Sequence, residues 1–371
     1  MKDERIGRFY RPELDALRFL AFALVFANHG FPSAAGFQSA GILHWISAPV
    51  TGLKRGGAFG VDLFFLLSSY LITEILLREY RATSSINVPA FWARRILRIW
   101  PLYFAFLAFS LWVVPRLLPQ RFPAFHALAF ATFWGNFAVI LAPSQMDSVA
   151  QLLWSVSIEE QFYLLWPLVL LLFFPRLRAI CLSLIVVSTA VRVYLVSRGV
   201  DSDWSLWGNT ITRLEPIAVG ALIALILKGR TPELRNATRW AAMAGGLLIV
   251  VFCGLELSVA GPTALIAYPL ATVAATLMLL GILGAPWQIP GVFIYLGRIS
   301  YGLYVFHMFA ITMSQHYIDL DHGFVEWAAE FTVAFTATVV LAAISYRWYE
   351  KPFLQLKSRF SAEARPRFAA A

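Results

Sequence analysis

Two ionisable side chains, Arg18 and His29, lie in an apolar segment, residues 14–30, that with its flanks is long enough to cross a bilayer. They are eleven residues apart, about three helical turns, so they share one helix face roughly 16 Å apart along the axis. Ionisable groups inside a membrane are costly and usually face a protein interior or a wet cavity. An imidazole there can serve as a general base. The alternative is a topology-setting arginine with a histidine that only reaches the opposite interface.

Carboxylates stand near the starts of two later apolar segments. Asp62 belongs to GVDLFFLLSSYLIT, and Glu159 and Glu160 belong to WSVSIEEQFYLLWP. Adjacent helical positions point about 100° apart, so only one of the two glutamates can face a cavity squarely. We expect that one to act as an acid, a base or an arginine partner, and the other to lie nearer the headgroups. The alternative is a carboxylate neutralised by Arg18 or Arg213 for structure alone.

Arginines cluster in FWARRILRIWPLY, residues 91–103, at the start of another membrane segment. Arg94 and Arg98 are four residues apart, and Arg95 and Arg98 are three apart, so each pair shares a helix face. Guanidinium groups in such a cluster can bind phosphate oxygens bidentately. The alternative is an interfacial amphipathic helix that holds anionic lipid headgroups.

Three further polar residues stand in apolar surroundings. Arg213 and Glu215 occur in TRLEPIAVG, and His307 occurs in SYGLYVFHMF. We expect them to contact a substrate, although His307 equally fits a satisfied core histidine. The last apolar segment ends in SYRWYEKPF, residues 345–353, which we interpret as an interfacial anchor.

The composition excludes an ordinary soluble protein. Of 371 residues 59% are apolar and 14% are charged, with a mean hydropathy of +0.69, whereas soluble proteins carry ~25% charged residues. We therefore predict an all-α polytopic membrane protein, with one membrane domain over residues 1–358 and a disordered cytoplasmic tail over 359–371. The net charge of +9 does not require nucleic acid, because Lys and Arg in loops set membrane orientation. We expect no removable signal peptide, no disulfide framework and no metal site.

Charge placement predicts the membrane topology. Both termini are basic, which puts both in the cytoplasm and requires an even number of crossings. Residues 124–142, between Pro123 and Pro143, are the apolar segment that we expect to be re-entrant or interfacial. The other ten candidates cross the membrane, with Arg18 near the inner leaflet and His29 near the outer one. They lie near residues 14–31, 58–77, 100–118, 153–174, 179–197, 214–227, 240–260, 264–284, 291–314 and 325–346. The same topology puts further polar residues at the outer end beside His29: Asp62, Glu159, Glu160, Arg213 and Glu215.

Taken together, these stretches resemble the acyltransferase-3 family of membrane acyltransferases, over nearly the whole chain. Six pieces stand in the family's order: the Arg-x10-His helix, GVDLFFLLSSYLIT, RRILRIWPLY, LWSVSIEEQFYLLWP, SYGLYVFH and YRWYEKPF. The resemblance implies transfer of an acyl group, usually acetyl from cytoplasmic acetyl-CoA, to a hydroxyl of a glycan or similar acceptor. It implies roles for five residues: His29, Arg18, Arg95, Arg98 and Glu159.

The sequence departs from the family pattern in two places. The usual LSGF reads LSSY here, with Ser69 in place of glycine, so we expect helix packing or the cavity to differ locally. The chain stops soon after YEKPF, so we expect no fused extracytoplasmic SGNH domain.

The resemblance and the residues together suggest a mechanism. Arg94, Arg95 and Arg98 hold the CoA phosphates, and the pantetheine arm passes Arg18. His29, tuned by Asp62 or Glu159, acts as general base on the acceptor hydroxyl or carries the acyl group itself. The substrate contacts are assigned to Glu160, Arg213, Glu215 and His307. One difficulty is the distance that the arm must span from inner arginines to an outer histidine.

Two other classes of function stay open at this point. A secondary transporter or flippase for a glycan or a lipid-linked substrate also carries intramembrane His, Arg and Glu, but we find no two-halved repeat. A non-catalytic membrane scaffold would tolerate alanine at His29 and Glu159.

Overall fold

The computed structural model describes residues 10–31, 44–200, 203–318 and 323–360, and they fold as a helical bundle. Residues 361–371 of the expected tail lie outside the described residues. In chain order the helices are α1 (Pro12–Gly30), α2 (His44–Gly56), α3 (Gly60–Thr83), α4 (Val88–Trp112), α5 (Ala124–Ala131), α6 (Gly135–Leu141), α7 (Trp154–Phe173), α8 (Leu177–Ser197), α9 (Asp203–Trp207), α10 (Leu214–Leu227), α11 (Asn236–Glu256), α12 (Ala264–Ile282), α13 (Gly291–Arg298), α14 (Ser300–Tyr317), α15 (Gly323–Ile344) and α16 (Lys351–Leu356).

Several helices are long and apolar enough to span a membrane. Within the described part of the chain six helical runs pass that test, or seven if the bent pair α13 and α14 counts as one span. Apolar side chains on α8 point away from the bundle: Val186 is 66% exposed and Leu182 is 54% exposed. The structure therefore confirms an all-α polytopic membrane protein.

The run Val149–Ser197 has 49 residues, which is far longer than the ~30 Å hydrocarbon core requires at 1.5 Å per residue. It breaks at Phe174–Arg176, so we interpret α7 and α8 as two crossings. Helices α1 and α10, with 19 and 14 residues, pack inside the bundle. Ten crossings remain a prediction.

Residues 124–142 form two short helices, α5 and α6, of eight and seven residues. At 1.5 Å per residue each is about 12 Å long or less, too short to cross a bilayer. The buried Asn136 side chain donates to the Gly208 carbonyl oxygen at 3.0 Å and to Thr210 Oγ1 at 3.0 Å. These bonds attach this segment to the bundle, where protein satisfies its polar groups; whether it is re-entrant or interfacial stays a prediction.

The single helix expected over 291–314 is wrong in one respect, because α13 and α14 meet at a 76° bend. Helix α13 packs against α1 at Gly297, where an added Cβ would lie 1.8 Å from the Asp15 carbonyl oxygen. The sequence pattern also missed α2. It contacts α11 through Gly52 and Gly254, where a Cβ on Gly254 would lie 1.9 Å from the Gly52 carbonyl oxygen.

Ser69, which stands where the family has glycine, affects helix packing and lines neither of the cavities described below. Its side chain is fully buried and Oγ donates to the Leu66 carbonyl oxygen at 3.1 Å. Gly220 on α10 makes room for it, since a Cβ there would lie 2.1 Å from Ser69 Oγ and 2.3 Å from the Leu66 carbonyl oxygen.

We therefore expect Gly220→Ala to destabilise the protein by about 1–3 kcal/mol, the usual cost of overpacking a close contact. Gly245→Ala is the matched control, because the nearest atom to its added Cβ is Leu277 Cδ1 at 4.0 Å. That control should be neutral or slightly stabilising. Thermal unfolding of both variants in detergent measures the difference, and equal midpoints would contradict the packing argument.

Candidate active site

A cavity of about 630 Å³ lies between α1, α3, α4, α7, α14 and the chain after α15. We call it the arginine cavity. Its charged lining comprises Arg11, Arg18, Arg95, Arg98, Arg298, Lys357, Asp15, Glu159 and Glu350. Six basic groups face three acidic ones, so the cavity suits a ligand with several negative charges.

The predicted arginines that line this cavity differ in whether an acidic side chain lies beside them. Arg18 lies 3.3 Å from the Asp15 carboxylate. Arg95 packs over the Tyr163 ring at 5.8 Å, and its Nε is buried without a hydrogen-bond partner. Neither Arg95 nor Arg98 has an acidic group within 4.0 Å in the described part of the chain. These guanidinium groups are available to an anion.

Arg94 does not line the arginine cavity. Its Nη2 lies 3.4 Å from the Glu79 carboxylate and its Nη1 donates to the Phe360 carbonyl oxygen at 2.6 Å. Arg94 shares a helix face with Arg98 but lies about one turn before it on α4, and these two contacts hold its guanidinium away from the cavity. We leave Arg94 out of the candidate donor site.

The two adjacent glutamates also separate. The Glu159 carboxylate lines the arginine cavity and accepts from Ser68 Oγ at 3.0 Å and from the Tyr163 hydroxyl at 2.8 Å. Glu160 lies outside it and accepts from the Trp100 indole at 2.9 Å. The expectation that only one of them faces a cavity fits this arrangement.

The expected position of Glu159 does not fit. We expected it near His29, but it lines the arginine cavity, because the chain that leads into α7 is already buried inside the bundle. The preceding turn, Val149–Leu153, already lies within the bundle, where Leu152 and Leu153 are buried. Trp154 therefore lines a different cavity, the one that contains His29, and Glu159 lies five residues further along, about 7.5 Å along a helix.

A second cavity, of about 510 Å³, contains His29. We call it the histidine cavity. Other lining residues include Asn28, Trp154, Trp204 and Trp207. The His29 side chain is exposed in it, and we find no hydrogen-bond partner for its ring among the described residues. Within the described part of the chain its ring nitrogens are therefore unpaired.

His307 packs against His29, with ring centroids 5.3 Å apart. Its Nδ1 lies 2.6 Å from the Tyr304 carbonyl oxygen and donates to it, since a carbonyl only accepts. Its Nε2 is buried without a hydrogen-bond partner. The group beside His29 is thus a second imidazole, whereas we expected the carboxylate of Asp62 or Glu159.

A layer of side chains separates the two cavities. Val61 and Tyr304 line both. The Tyr304 hydroxyl lies 2.6 Å from Ser155 Oγ and donates to the Leu152 carbonyl oxygen at 3.2 Å. We call Val61 and Tyr304 the partition. The two cavities thus meet at the side chains of Val61 and Tyr304. This shortens the distance that a pantetheine arm must span from the arginines to His29.

Asp62, Arg213 and Glu215 are brought together, but away from both cavities. Asp62 Oδ2 lies 2.7 Å from Arg213 Nη2, and the two side chains are 1% and 0% exposed. Glu215 pairs with Arg192. We expected these residues to contact substrate, but they line neither cavity. Each charged group forms an ion pair with a neighbouring side chain inside the bundle. The Arg213 guanidinium stacks at 4.0 Å on Trp207, which lines the histidine cavity.

Sequence reasoning missed several lining residues. Tyr346 and Glu350 belong to the stretch that we interpreted as an anchor, yet both line the arginine cavity. Residues Ser345–Glu350 form a π-helix, a distortion often found at functional sites. At the rim, the Tyr10 hydroxyl donates to Asp15 at 2.9 Å and accepts from Arg298. Desolvation raises the pKa of Tyr10, and the hydrogen bond from Arg298 opposes this shift.

Comparisons with known proteins identify the family of this chain. Residues 11–347 match the family described as "Acyltransferase domain". The chain is 28% identical to the Peptidoglycan O-acetyltransferase OatA of Listeria monocytogenes, over 94% of this chain and 56% of that protein. It is also 28% identical to YrhL of Bacillus subtilis, over 92% of this chain and 55% of that protein. The chain thus spans little more than half the length of these relatives, and no solved structure matches it. The chain belongs to the acyltransferase-3 family, as the resemblance predicted.

Proposed function

We propose that this protein transfers an acetyl group from acetyl-CoA to a hydroxyl of a glycan. The observation that carries the proposal is the pair of cavities that meet at Val61 and Tyr304, one basic and the other containing His29. The similarity to a named peptidoglycan O-acetyltransferase supports the acetyl group and the glycan.

The arginine cavity is the donor site in this proposal. Arg18, Arg95 and Arg98 would bind the diphosphate and phosphate groups of CoA, because guanidinium groups form bidentate charge-assisted hydrogen bonds with them. Three of the charges in the cavity are acidic and six are basic, so a polyanion neutralises the excess. This cavity then opens to the cytoplasm, in line with cytoplasmic termini in the plasma membrane.

His29 performs the chemistry. It takes the proton of the acceptor hydroxyl, whose oxygen attacks the thioester carbonyl. The new C–O bond forms, the C–S bond breaks, and the CoA thiolate accepts a proton on release. His307 faces His29 and holds its orientation. An acyl-histidine relay uses the same residue and the same cavity. Either route requires Tyr304 to swing aside, because it stands between the two cavities.

The proposal is tested by acetyl-CoA binding and turnover of the full chain in nanodiscs. We expect Arg98→Gln to weaken acetyl-CoA binding roughly 10- to 100-fold, since a hydrogen bond to a charged group contributes ~1.5–3 kcal/mol. Added salt should reduce the difference in acetyl-CoA affinity between wild type and Arg98→Gln. Arg81→Gln is the control, because Arg81 is exposed at the end of α3 and lies outside the cavity.

If wild type neither binds nor consumes acetyl-CoA, the donor assignment is wrong. A transporter is then the second candidate, because two cavities on either side of a thin partition also suit alternating access. Uptake of a labelled glycan into proteoliposomes, without acetyl transfer, would support it.

A further inference from the structure

The histidine cavity contains a group of aromatic side chains that proton transfer does not require. The Trp154 ring lies 6.0 Å from Trp204 and 5.9 Å from Trp207, and all three line the cavity. Trp204 and Trp207 are half-buried. Since all three line the cavity around His29, an interfacial aromatic belt facing lipid does not explain them.

One arginine among the described residues lines the same cavity. Arg55, near the end of α2, is exposed and lines the cavity with the tryptophans. In the described part of the chain no carboxylate lies within 4.0 Å of its guanidinium. A basic residue in the last turn of a helix interacts favourably with the helix dipole, but that does not account for its position in a cavity beside His29.

We propose that the histidine cavity binds a pyranose ring against Trp204 and Trp207, and that Arg55 selects a sugar that carries a carboxylate. The inference rests on the proposed function, because it names the acceptor for His29. Three observations carry it: the aromatic wall, a guanidinium with no carboxylate partner among the described residues, and a volume of about 510 Å³. Cavities of 300–1,000 Å³ lined by aromatic groups with a few polar ones are typical ligand sites, by rough survey values.

The aromatic wall suits the apolar C–H face of a sugar ring, because large rigid rings bury area at low entropic cost. Trp207 is held from behind, where Arg213 stacks on it at 4.0 Å. Arg213 is thus a positioning residue for the acceptor. This explains how a buried arginine outside the cavity serves the site.

Polar side chains supply hydrogen bonds to sugar hydroxyls. Asn28 Nδ2 donates to the Lys54 carbonyl oxygen at 2.8 Å, which fixes the amide and leaves its Oδ1 to accept from a hydroxyl. Gln151 lines the cavity as well. A guanidinium forms two parallel hydrogen bonds with a carboxylate, so Arg55 discriminates between a sugar with this group and one without it.

The test compares N-acetylmuramic acid with N-acetylglucosamine, which differ by a lactyl ether that carries a carboxylate. Binding of each sugar to the full chain in neutral-lipid nanodiscs is measured by saturation-transfer NMR titration. We expect wild type to bind N-acetylmuramic acid at least fivefold more tightly. Arg55→Gln should reduce that ratio to one, whereas Arg116→Gln, an exposed arginine outside the cavity, should preserve it.

Trp204→Leu should weaken the binding of both sugars about tenfold, because the variant removes one of the large rigid rings against which the pyranose packs. Trp134→Leu is the control, because Trp134 is 57% exposed and lies outside the cavity. Equal affinities for the two sugars in wild type would overturn the role of Arg55. No binding of either sugar, or no effect of Trp204→Leu, would overturn the sugar site.

Competition by short-chain phosphatidylglycerol that persists in Trp204→Leu would reassign the cavity to an anionic lipid headgroup and overturn the proposal. These measurements need no acetyl donor. Failure of the sugar site is therefore distinct from failure of the transfer reaction, which the acetyl-CoA assay with Arg98→Gln reports separately.

Discussion

Replacing His29 with alanine should lower the rate of acetyl transfer by about 10²- to 10⁴-fold, the usual contribution of a general acid–base group. Acetyl-CoA affinity should stay unchanged, because His29 lies in the histidine cavity and does not line the arginine cavity. The variant thus separates chemistry from donor binding. A stopped assay of acetyl transfer and an equilibrium measurement of acetyl-CoA binding, both in nanodiscs, provide the two numbers.

The matched control for this variant is His316→Ala, which removes an exposed imidazole near the end of α14 that lines neither cavity. It should transfer acetyl at the wild-type rate. Transfer by His29→Ala within a factor of a few of wild type would remove His29 from the chemistry. A loss of acetyl-CoA binding in His29→Ala would instead mean that the two cavities are not separate sites.

The two roles open to His29 differ in one further result. In an acyl-histidine relay, wild type incubated with labelled acetyl-CoA and no acceptor retains label on the protein, and His29→Ala retains none. In direct base catalysis neither protein is labelled. The partition favours neither route, because Tyr304 lines both cavities and both routes use both of them.

Helical spacing along one segment predicts which neighbours share a face, and several site residues follow from it. Arg95 and Arg98, three residues apart on α4, both line the arginine cavity. Glu159 and Glu160, one residue apart on α7, point to different surroundings. Membrane helices are likewise readable from sequence, because the bilayer demands long apolar runs.

The sequence could not supply the position of each residue along the bundle axis. Glu159 lies with the arginines because the turn before α7 starts inside the bundle, and nothing in WSVSIEEQFYLLWP encodes that start. The same holds for the 76° bend between α13 and α14, which no residue in the apolar run 291–314 predicts. Pairs formed across the bundle are equally hidden: Asp62 and Arg213 are 151 residues apart in sequence.

Breaking the buried ion pair of Asp62 and Arg213 should lower the stability of the folded protein. Asp62→Ala is expected to lower the free energy of unfolding by about 3–5 kcal/mol, because it leaves the Arg213 charge buried without a counterion. Both side chains are at most 1% exposed, so water cannot replace the lost partner. The midpoint of thermal unfolding in detergent measures this loss of stability. A poor yield of folded Asp62→Ala protein from expressing cells would indicate the same loss.

The double variant Asp62→Leu with Arg213→Met tests whether the pair is structural. Replacing both ions by apolar groups of similar volume is often neutral, so this variant should recover most of the lost stability. We expect it to bind acetyl-CoA like wild type, since neither residue lines the arginine cavity. Its sugar affinity should fall, because Trp207 loses the guanidinium that stacks on it.

A third variant, Asp62→Asn, decides between the two roles considered for Asp62. If Asp62 tunes His29 directly, Asp62→Asn abolishes acetyl transfer while the protein unfolds at the wild-type temperature. If Asp62 is the counterion of Arg213, the stability of Asp62→Asn falls and its activity declines only with the folded fraction. The geometry supports the counterion role, because the nearest charged partner of Asp62 is Arg213 at 2.7 Å and His29 is in contact with His307 instead. A stable, inactive Asp62→Asn protein would return Asp62 to the chemistry.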